Sequence, residues 1–343
     1  MAKRINKQIP LVILIVFFSN IAWSGEYLKG DADGNGKINI FDALIIAEYT
    51  VELITEEQIP GIEFADVDGN GKVDIRDALR IAKFDHTGGL ANFTANPIWL
   101  EDILIHKEVK MTPQELVDLV AAEPLFSPGE TWEYNNTGYI LMGMIIEKVT
   151  GNKWEDEIRD RFIEPLGLTH TDIPETGELG IPGEFVHGYI DLYAKSDGQF
   201  GTPGVIIDNT EMEPSLLWSA GVIVSNFNDM AQWMKAVGEG QLLNETYQNI
   251  LETEYIIIDQ NSGFGWGLGF MKIGILDIIG HTGQLLGYDT SMNYQMSSGY
   301  SIAAGINREL CSDEPYTDVN YMILYDVMAF LNGLAAIPAQ SNF

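Results

Sequence analysis

The chain has little cysteine and little positive charge. Cys311 is the only cysteine among 343 residues, so no internal disulfide can form, and stability has to come from the core and from bound metal. No motif surrounds that thiol, and it reads as an inert, partly buried residue. Lys and Arg number 19 against 50 Asp and Glu, a formal charge of −31. A field of that sign repels phosphates and anionic headgroups, which excludes nucleic-acid binding and electrostatic docking to a membrane. It suits a protein that collects divalent cations or lives in salt, and it also serves plain solubility. The 5 histidines nowhere show transition-metal spacing, so no zinc site is expected, and His106, His170 and His187 read as structural.

Long apolar runs are also absent beyond the N-terminus. There, Lys3, Arg4 and Lys7 precede an apolar run from Ile9 to Phe18, with Ala22 and Ser24 at −3 and −1 of a cut before Gly25. This pattern predicts a signal peptide over residues 1–24, with an uncleaved anchor as the alternative. Hydrophobic residues at 46% and charged residues at 20% predict a globular remainder, long enough for two domains.

What the sequence does contain is a repeat. Asp31-Ala-Asp-Gly-Asn-Gly-Lys-Ile-Asn-Ile-Phe-Asp42 returns as Asp66-Val-Asp-Gly-Asn-Gly-Lys-Val-Asp-Ile-Arg-Asp77, and Ala-Leu-x-Ile-Ala follows both copies. Calcium takes about six to eight oxygens, and a twelve-residue loop supplies them from positions 1, 3, 5, 7, 9 and 12. Those positions are Asp31, Asp33, Asn35, Lys37, Asn39 and Asp42, then Asp66, Asp68, Asn70, Lys72, Asp74 and Asp77. The lysines contribute only a backbone carbonyl. Gly36 and Gly71 stand at position 6, where the loop needs positive φ. The spacing therefore predicts two Ca2+ ions. Apolar periodicity predicts a helix after each loop, Phe41 to about Leu53 and Ile75 to about Phe84, and none of similar length before either.

The short Asp at position 12 and the missing first helix make residues 29–84 resemble a type I dockerin, a small all-α variant of the EF-hand. That resemblance implies a cohesin-like module or cell-surface scaffold as partner, and a secreted or surface-attached protein. Loop positions 10 and 11, which set partner choice in that family, are Ile40-Phe41 and Ile75-Arg76 rather than the small hydroxyl residues many members carry.

From His86 the texture changes. Thr112-Pro113-Gln114-Glu115 predicts a capping box opening a helix to about Glu123. Apolar periodicity predicts helices over Thr137 to Val149, stopped by Gly151, and Trp154 to Phe162. Strands are expected at Gly267 to Ile273, Asp277 to His281, Ser291 to Gln295 and Ser301 to Asn307, and a closing helix at Asn320 to Leu334. Helices followed by antiparallel strands predict an α+β domain, helices packed on a sheet.

Pro128-Gly-Glu-x-Trp-x-Tyr134-Asn-Asn136-Thr-Gly-Tyr139, Phe162-Ile-Glu-Pro-Leu-Gly-Leu168, Ser219-Ala-Gly-Val-Ile-Val-Ser225, Gly265-Trp-Gly-Leu-Gly-Phe270 and Gly280-His281-Thr282-Gly283 occur in the order of the serine hydrolases related to β-lactamases and D,D-peptidases. His86-Thr-Gly-Gly-Leu90 is similar to a structural turn of that family. The resemblance covers residues 86–334. It implies Tyr134 as a proton-relay phenol, Asn136 as a substrate amide, and His281, Thr282 and Gly283 as one edge of the cleft, with the backbone of Gln284 as an oxyanion donor. It also implies a peptidoglycan-type peptide, a β-lactam or a small ester as ligand. The residues alone allow plainer roles, with Tyr134 and Asn136 capping the helix at Thr137 and His281 a satisfied strand histidine.

One family element is missing. No serine is followed three positions later by lysine, and Thr150-Gly-Asn-Lys153 has the spacing but ends a helix. The stretch where the family keeps its Ser-x-x-Lys helix is occupied by the calcium repeat, so the second domain reads as N-terminally truncated, with an exposed sheet edge. Three readings follow: a disarmed hydrolase-family protein tethered by its dockerin, an active hydrolase with an unrecognised or trans-supplied nucleophile, or an attachment module with a passenger domain.

Overall fold

The computed structural model describes residues 92–120, residues 134–308 apart from 182, 197, 268 and 286, residue 327, and, before residue 92, positions 32, 45, 46, 49, 58, 59, 62–66, 71–73 and 77. Apart from residue 327, which is helical, the helix expected at Asn320 to Leu334 lies outside these residues, as do the predicted signal peptide, the turn at His86 and Cys311. So do Asp31, Asp33, Asn35, Lys37, Asn39, Asp42, Asp68, Asn70 and Asp74. Within the repeat region, Ile45, Ile46, Tyr49 and Asp77 are helical, inside the stretches where helices are expected. Ahead of the second loop stands a single helical turn, Ile62–Ala65.

Six helices are labelled in the larger domain: α1 Pro97–Leu104, α2 Pro113–Asp118, α3 Thr137–Thr150, α4 Trp154–Ile158, α5 Phe227–Gly238 and α6 Glu245–Thr253. The capping box at α2 forms as the spacing predicts: the Glu115 N–H donates to Thr112 Oγ1 at 3.2 Å and the Thr112 N–H to Glu115 Oε2 at 2.7 Å. α3 runs one residue past the expected Val149 and stops at Gly151, whose φ of 73° only glycine adopts without strain. The segment expected as one helix from Trp154 to Phe162 instead continues from α4 through a π-turn, Arg159–Ile163, into Glu164–Leu166. Pro165 lacks an N–H, and the wider turn lets the chain pass it without losing the helical path.

Eight strands follow: β1 Tyr189–Asp191, β2 Ile206–Asp208, β3 Ile256–Asp259, β4 Phe264–Trp266, β5 Met271–Ile273, β6 Ile278–Leu285, β7 Tyr288–Gln295 and β8 Ser301–Ile306. β1 and β2 form a small ribbon, and β3 to β8 form one antiparallel sheet in sequence order. The strand expected from Gly267 to Ile273 is corrected here: Gly267 to Phe270 is the turn between β4 and β5, closed by the Gly267 N–H on Phe270 O at 2.8 Å. β6 begins one residue late because Asp277 is left-handed (φ 52°), and it runs four residues past His281.

The domain core lies between the helices and one sheet face. α3 is its centre: nine of its fourteen residues are buried. α5 lies on β7 and β8, so closely that a Cβ on Gly238 would come within 2.0 Å of the Tyr294 ring. Trp99 Nε1 donates to Leu216 O at 2.6 Å and Trp154 meets Trp218 edge-on at 5.9 Å, tying α1 and α4 to the segment that packs on α3. Among the described residues, β3 and β8 are the sheet edges.

Gly143 sets how closely that segment approaches α3. A Cβ there would lie 2.4 Å from Ser219 Oγ and 2.7 Å from the Trp218 ring. Gly143→Ala is therefore expected to destabilise the domain by about 1–3 kcal/mol, read as a shifted denaturation midpoint, although alanine is the better helix former.

Candidate functional site

The site forms where the start of α3 meets the middle of β6. Helix α3 enters a buried region, and its first N–H groups need partners that water cannot supply there. Asn135 supplies one, its Oδ1 accepting from the Gly138 N–H at 3.0 Å. Asn136 makes no side-chain cap. Its Nδ2 donates to Thr94 Oγ1 at 3.2 Å, and its backbone N–H donates to Asn92 Oδ1 at 3.2 Å. Thr137 Oγ1 accepts from the Phe93 N–H at 3.1 Å. Residues 92–94 thus clamp the turn carrying Tyr134 and Asn136. The plain capping role open to Asn136 belongs to its neighbour.

Tyr134 is thereby held over the site, its hydroxyl 3.4 Å from Asn136 Oδ1. Two aromatic residues that sequence reasoning did not single out complete the cluster. Tyr139, one helical turn on, meets His281: its hydroxyl is 3.2 Å from His281 Nε2. Its backbone carbonyl accepts from Ser219 Oγ at 2.7 Å, which fixes the helix at that point. Trp266, at the end of β4, stands 5.3 Å from the Tyr134 ring and 5.3 Å from His281. Both stand inside the motifs that carry the family resemblance, Tyr139 at the end of one and Trp266 within another, and neither was given a role there.

Both ring nitrogens of His281 are engaged. Nδ1 faces the carbonyl oxygen of Thr282, which can only accept, so Nδ1 carries the hydrogen. In the neutral ring Nε2 then accepts from the Tyr139 hydroxyl. Burial lowers the pKa of His281 below its ordinary 6.5, partly offset by the Thr282 carbonyl. Burial raises Tyr134 above its ordinary value, partly offset by its hydrogen bond with Tyr139, and Tyr139 is raised well above by burial and by Tyr134 beside it. At neutral pH the site holds two phenols and a neutral imidazole.

The rest of the motif lies along β6. The register sets His281 opposite Met292, Thr282 opposite Ser291, Gly283 opposite Thr290 and Gln284 opposite Asp289. Strand alternation puts Thr282 on the other face from His281. β5 pairs with β6 only as far as Gly280, so among the described residues His281 to Leu285 have a strand partner on one side alone. That leaves backbone groups for an extended ligand. The structure brings Tyr134, Asn136 and His281 together, while Thr282, Gly283 and Gln284 continue along the strand.

In the second calcium loop, Gly71 has φ 83° and its N–H donates to Asp66 Oδ2 at 2.8 Å, while Asp77 is fully buried. This is the turn that carries position 6 back over position 1. The donor set of carboxylates, amides and carbonyls fits a hard cation. Among the described residues no three His, Cys, Asp or Glu gather as a metal site, and no helix is long and apolar enough to cross a membrane.

Away from the site, His187 Nδ1 lies 2.6 Å from Asp208 Oδ2. With the Thr210 hydroxyl and N–H as the larger influences, that contact lowers Asp208 to about 2.

Known proteins match along both parts of the chain. The pattern of the Beta-lactamase family matches residues 84–317, and that of the Dockerin type I domain residues 29–84. Penicillin-binding protein 4* of Bacillus subtilis is 25% identical over 199 residues, 52% of this chain and 41% of that protein. Penicillin-binding protein 4 of Amycolatopsis lactamdurans is 35% identical over 86 residues, 22% of each chain. The matches thus span less than half the length of these relatives. A crystal structure of a D-stereospecific amidohydrolase from Streptomyces superposes with TM-score 0.63 at 26% identity, covering 90% of this chain and 87% of that one. D-amino acid amidase from Ochrobactrum anthropi, complexed with D-phenylalanine, gives TM-score 0.61 at 22% identity, covering 91% and 86%, a likeness of fold.

Two outcomes follow from the geometry. Asn135→Ala is expected to lower stability by about 1 kcal/mol through loss of the α3 cap, and Asn136→Ala to cost the helix less, both read from chemical denaturation. The lowered pKa of His281 means that the unfolded chain binds the extra proton first. Its share of stability is therefore full above the unfolded value of 6.5 and is lost as pH falls through that value toward the lower folded one. His281→Gln should remove that part of the slope in stability against pH.

Proposed function

Because this chain belongs to the Beta-lactamase family and carries a Dockerin type I domain ahead of it, we propose a secreted, calcium-dependent attachment protein whose hydrolase-family domain binds acyl ligands without forming an acyl-enzyme. Residues 1–24 would direct export, 29–84 attach the protein to a cohesin-like module or surface scaffold, and 86–334 carry the ligand site. The observation that carries the reading is the state of Tyr134. A neighbouring cation would lower the pKa of a phenol and favour its action as a base. Here burial raises it, and among the described residues no lysine or arginine shifts it. The sequence points the same way, since no serine has lysine three residues on.

The ligand class is a peptidoglycan-type peptide, a β-lactam, an ester or an amide. Tyr134, Asn136, His281, Thr282 and Gly283 would line its site, and Gln284 would offer a backbone donor. The likeness to a D-stereospecific amidohydrolase supports an acyl-amide ligand. Two calcium ions would be held by Asp31, Asp33, Asn35, Asn39 and Asp42, and by Asp66, Asp68, Asn70, Asp74 and Asp77, with the carbonyls of Lys37 and Lys72.

Intact-mass spectrometry of the calcium-loaded chain after benzylpenicillin and a fluorophosphonate tests the reading. No adduct is expected while an active family member labels in parallel. A stoichiometric adduct would overturn it, and peptide mapping would name the nucleophile. Calorimetric titration with Ca2+ should give two ions per chain, and Asp66→Ala should leave one.

A further inference from the structure

The reading of the site as an acyl-ligand cleft leaves open what the ligand carries at the His281 end. We propose that this end accepts an uncharged amide or ester and discriminates against a free carboxylate. The inference rests on the proposed function and narrows it.

A carboxylate removed from water needs a cation or several aimed N–H donors. His281 is the one titratable nitrogen that the cluster offers, and it has nothing left to give. Its Nδ1–H is directed at the Thr282 carbonyl, and its Nε2 lone pair takes the Tyr139 hydroxyl at 3.2 Å. Charging the ring would reverse that second bond, the Nε2–H donating to the Tyr139 oxygen, and burial opposes the charge. The backbone of Tyr139 is fixed in turn by its carbonyl, which accepts from Ser219 Oγ at 2.7 Å.

The remaining walls are the rings of Tyr134 and Trp266, 5.3 Å apart and inclined at 38°. Their π faces carry partial negative charge, which repels an anion and accepts a flat neutral amide or an amine. The chain around the site is acidic, with a formal charge of −31, so the long-range field opposes an anion as well. Neutral amides can still use Asn136 and the one-sided backbone of His281 to Leu285. Ring faces, spent nitrogens and field all select against the same group, by independent means.

The test compares two probes that differ only in that group: N-acetylphenylalanine amide and N-acetylphenylalanine, in both enantiomers, titrated calorimetrically into the calcium-loaded chain at neutral pH. The amide is expected to bind at least about tenfold more tightly than the acid. Equal or tighter binding of the acid would overturn the inference while leaving the acyl-ligand reading intact. Binding of neither probe would instead remove the reading on which it rests. Nitrogen-15 NMR of histidine-labelled protein gives a readout that needs no ligand. His281 should show a protonated Nδ1 and a bare Nε2 at neutral pH, and Tyr139→Phe should change the Nε2 signal. A ring protonated on both nitrogens would overturn the inference.

Discussion

The buried start of α3 is the constraint from which the site follows. An apolar helix with most of its surface in the core cannot leave its first N–H groups to water. Asn135 answers that need within the turn by accepting from the Gly138 N–H, while Thr137 Oγ1 accepts from the Phe93 N–H and ties the turn to residues 92–94. The turn so held has little freedom, and the side chains of Tyr134 and Asn136 inherit its position. Tyr139, lying five residues beyond Tyr134, comes round to the same side and reaches the sheet. The contact between helix and strand is thus a consequence of satisfying the helix, and the site's geometry is set before any ligand arrives.

The same burial decides the electrostatics. Removing His281, Tyr134 and Tyr139 from water favours the neutral form of each, and the hydrogen bonds among them are arranged to suit neutral partners. A lysine in the place of His281 would pull in the opposite direction, holding a charge that these rings and this acidic chain would have to stabilise. The histidine can be accommodated because its two nitrogens find one acceptor and one donor. The cluster is thus neutral within a chain whose formal charge is −31.

Much of the architecture was legible where local chemistry is decisive. Thr112 and Glu115 at cap spacing, Gly151 after an apolar run, and Gly71 at position 6 of the second loop each determine their own backbone. The errors arise where distant contacts decide. Gly267 to Gly269 follow β4 and resemble strand continuation, yet the turn is closed by a bond to Phe270 that spacing alone does not reveal. Pro165 reads as a stop, and the π-turn before it makes it a passage. β3 carries no sharp boundary signal, and its face makes sense only once the sheet is assembled. The site itself was half visible: motif order pointed to Tyr134, Asn136 and His281, while the rings packed beside them, Tyr139 and Trp266, stood in the same motifs without a role.

The position of β6 in the sheet gives the last step. A strand flanked on both sides along its length would bury His281 to Leu285 in the ladder and leave nothing for a ligand. Here β5 stops at the residue facing Gly280, and the turn of Gly267 to Phe270 carries the chain away just where the site begins. The expected strand at Gly267 to Ile273 is realised only as Met271–Ile273, and among the described residues β6 has no partner on that side beyond Gly280. Gly280 adds to this: a Cβ there would lie 2.1 Å from Asn293 Oδ1, so β6 can run flat against β7 only with glycine at that point.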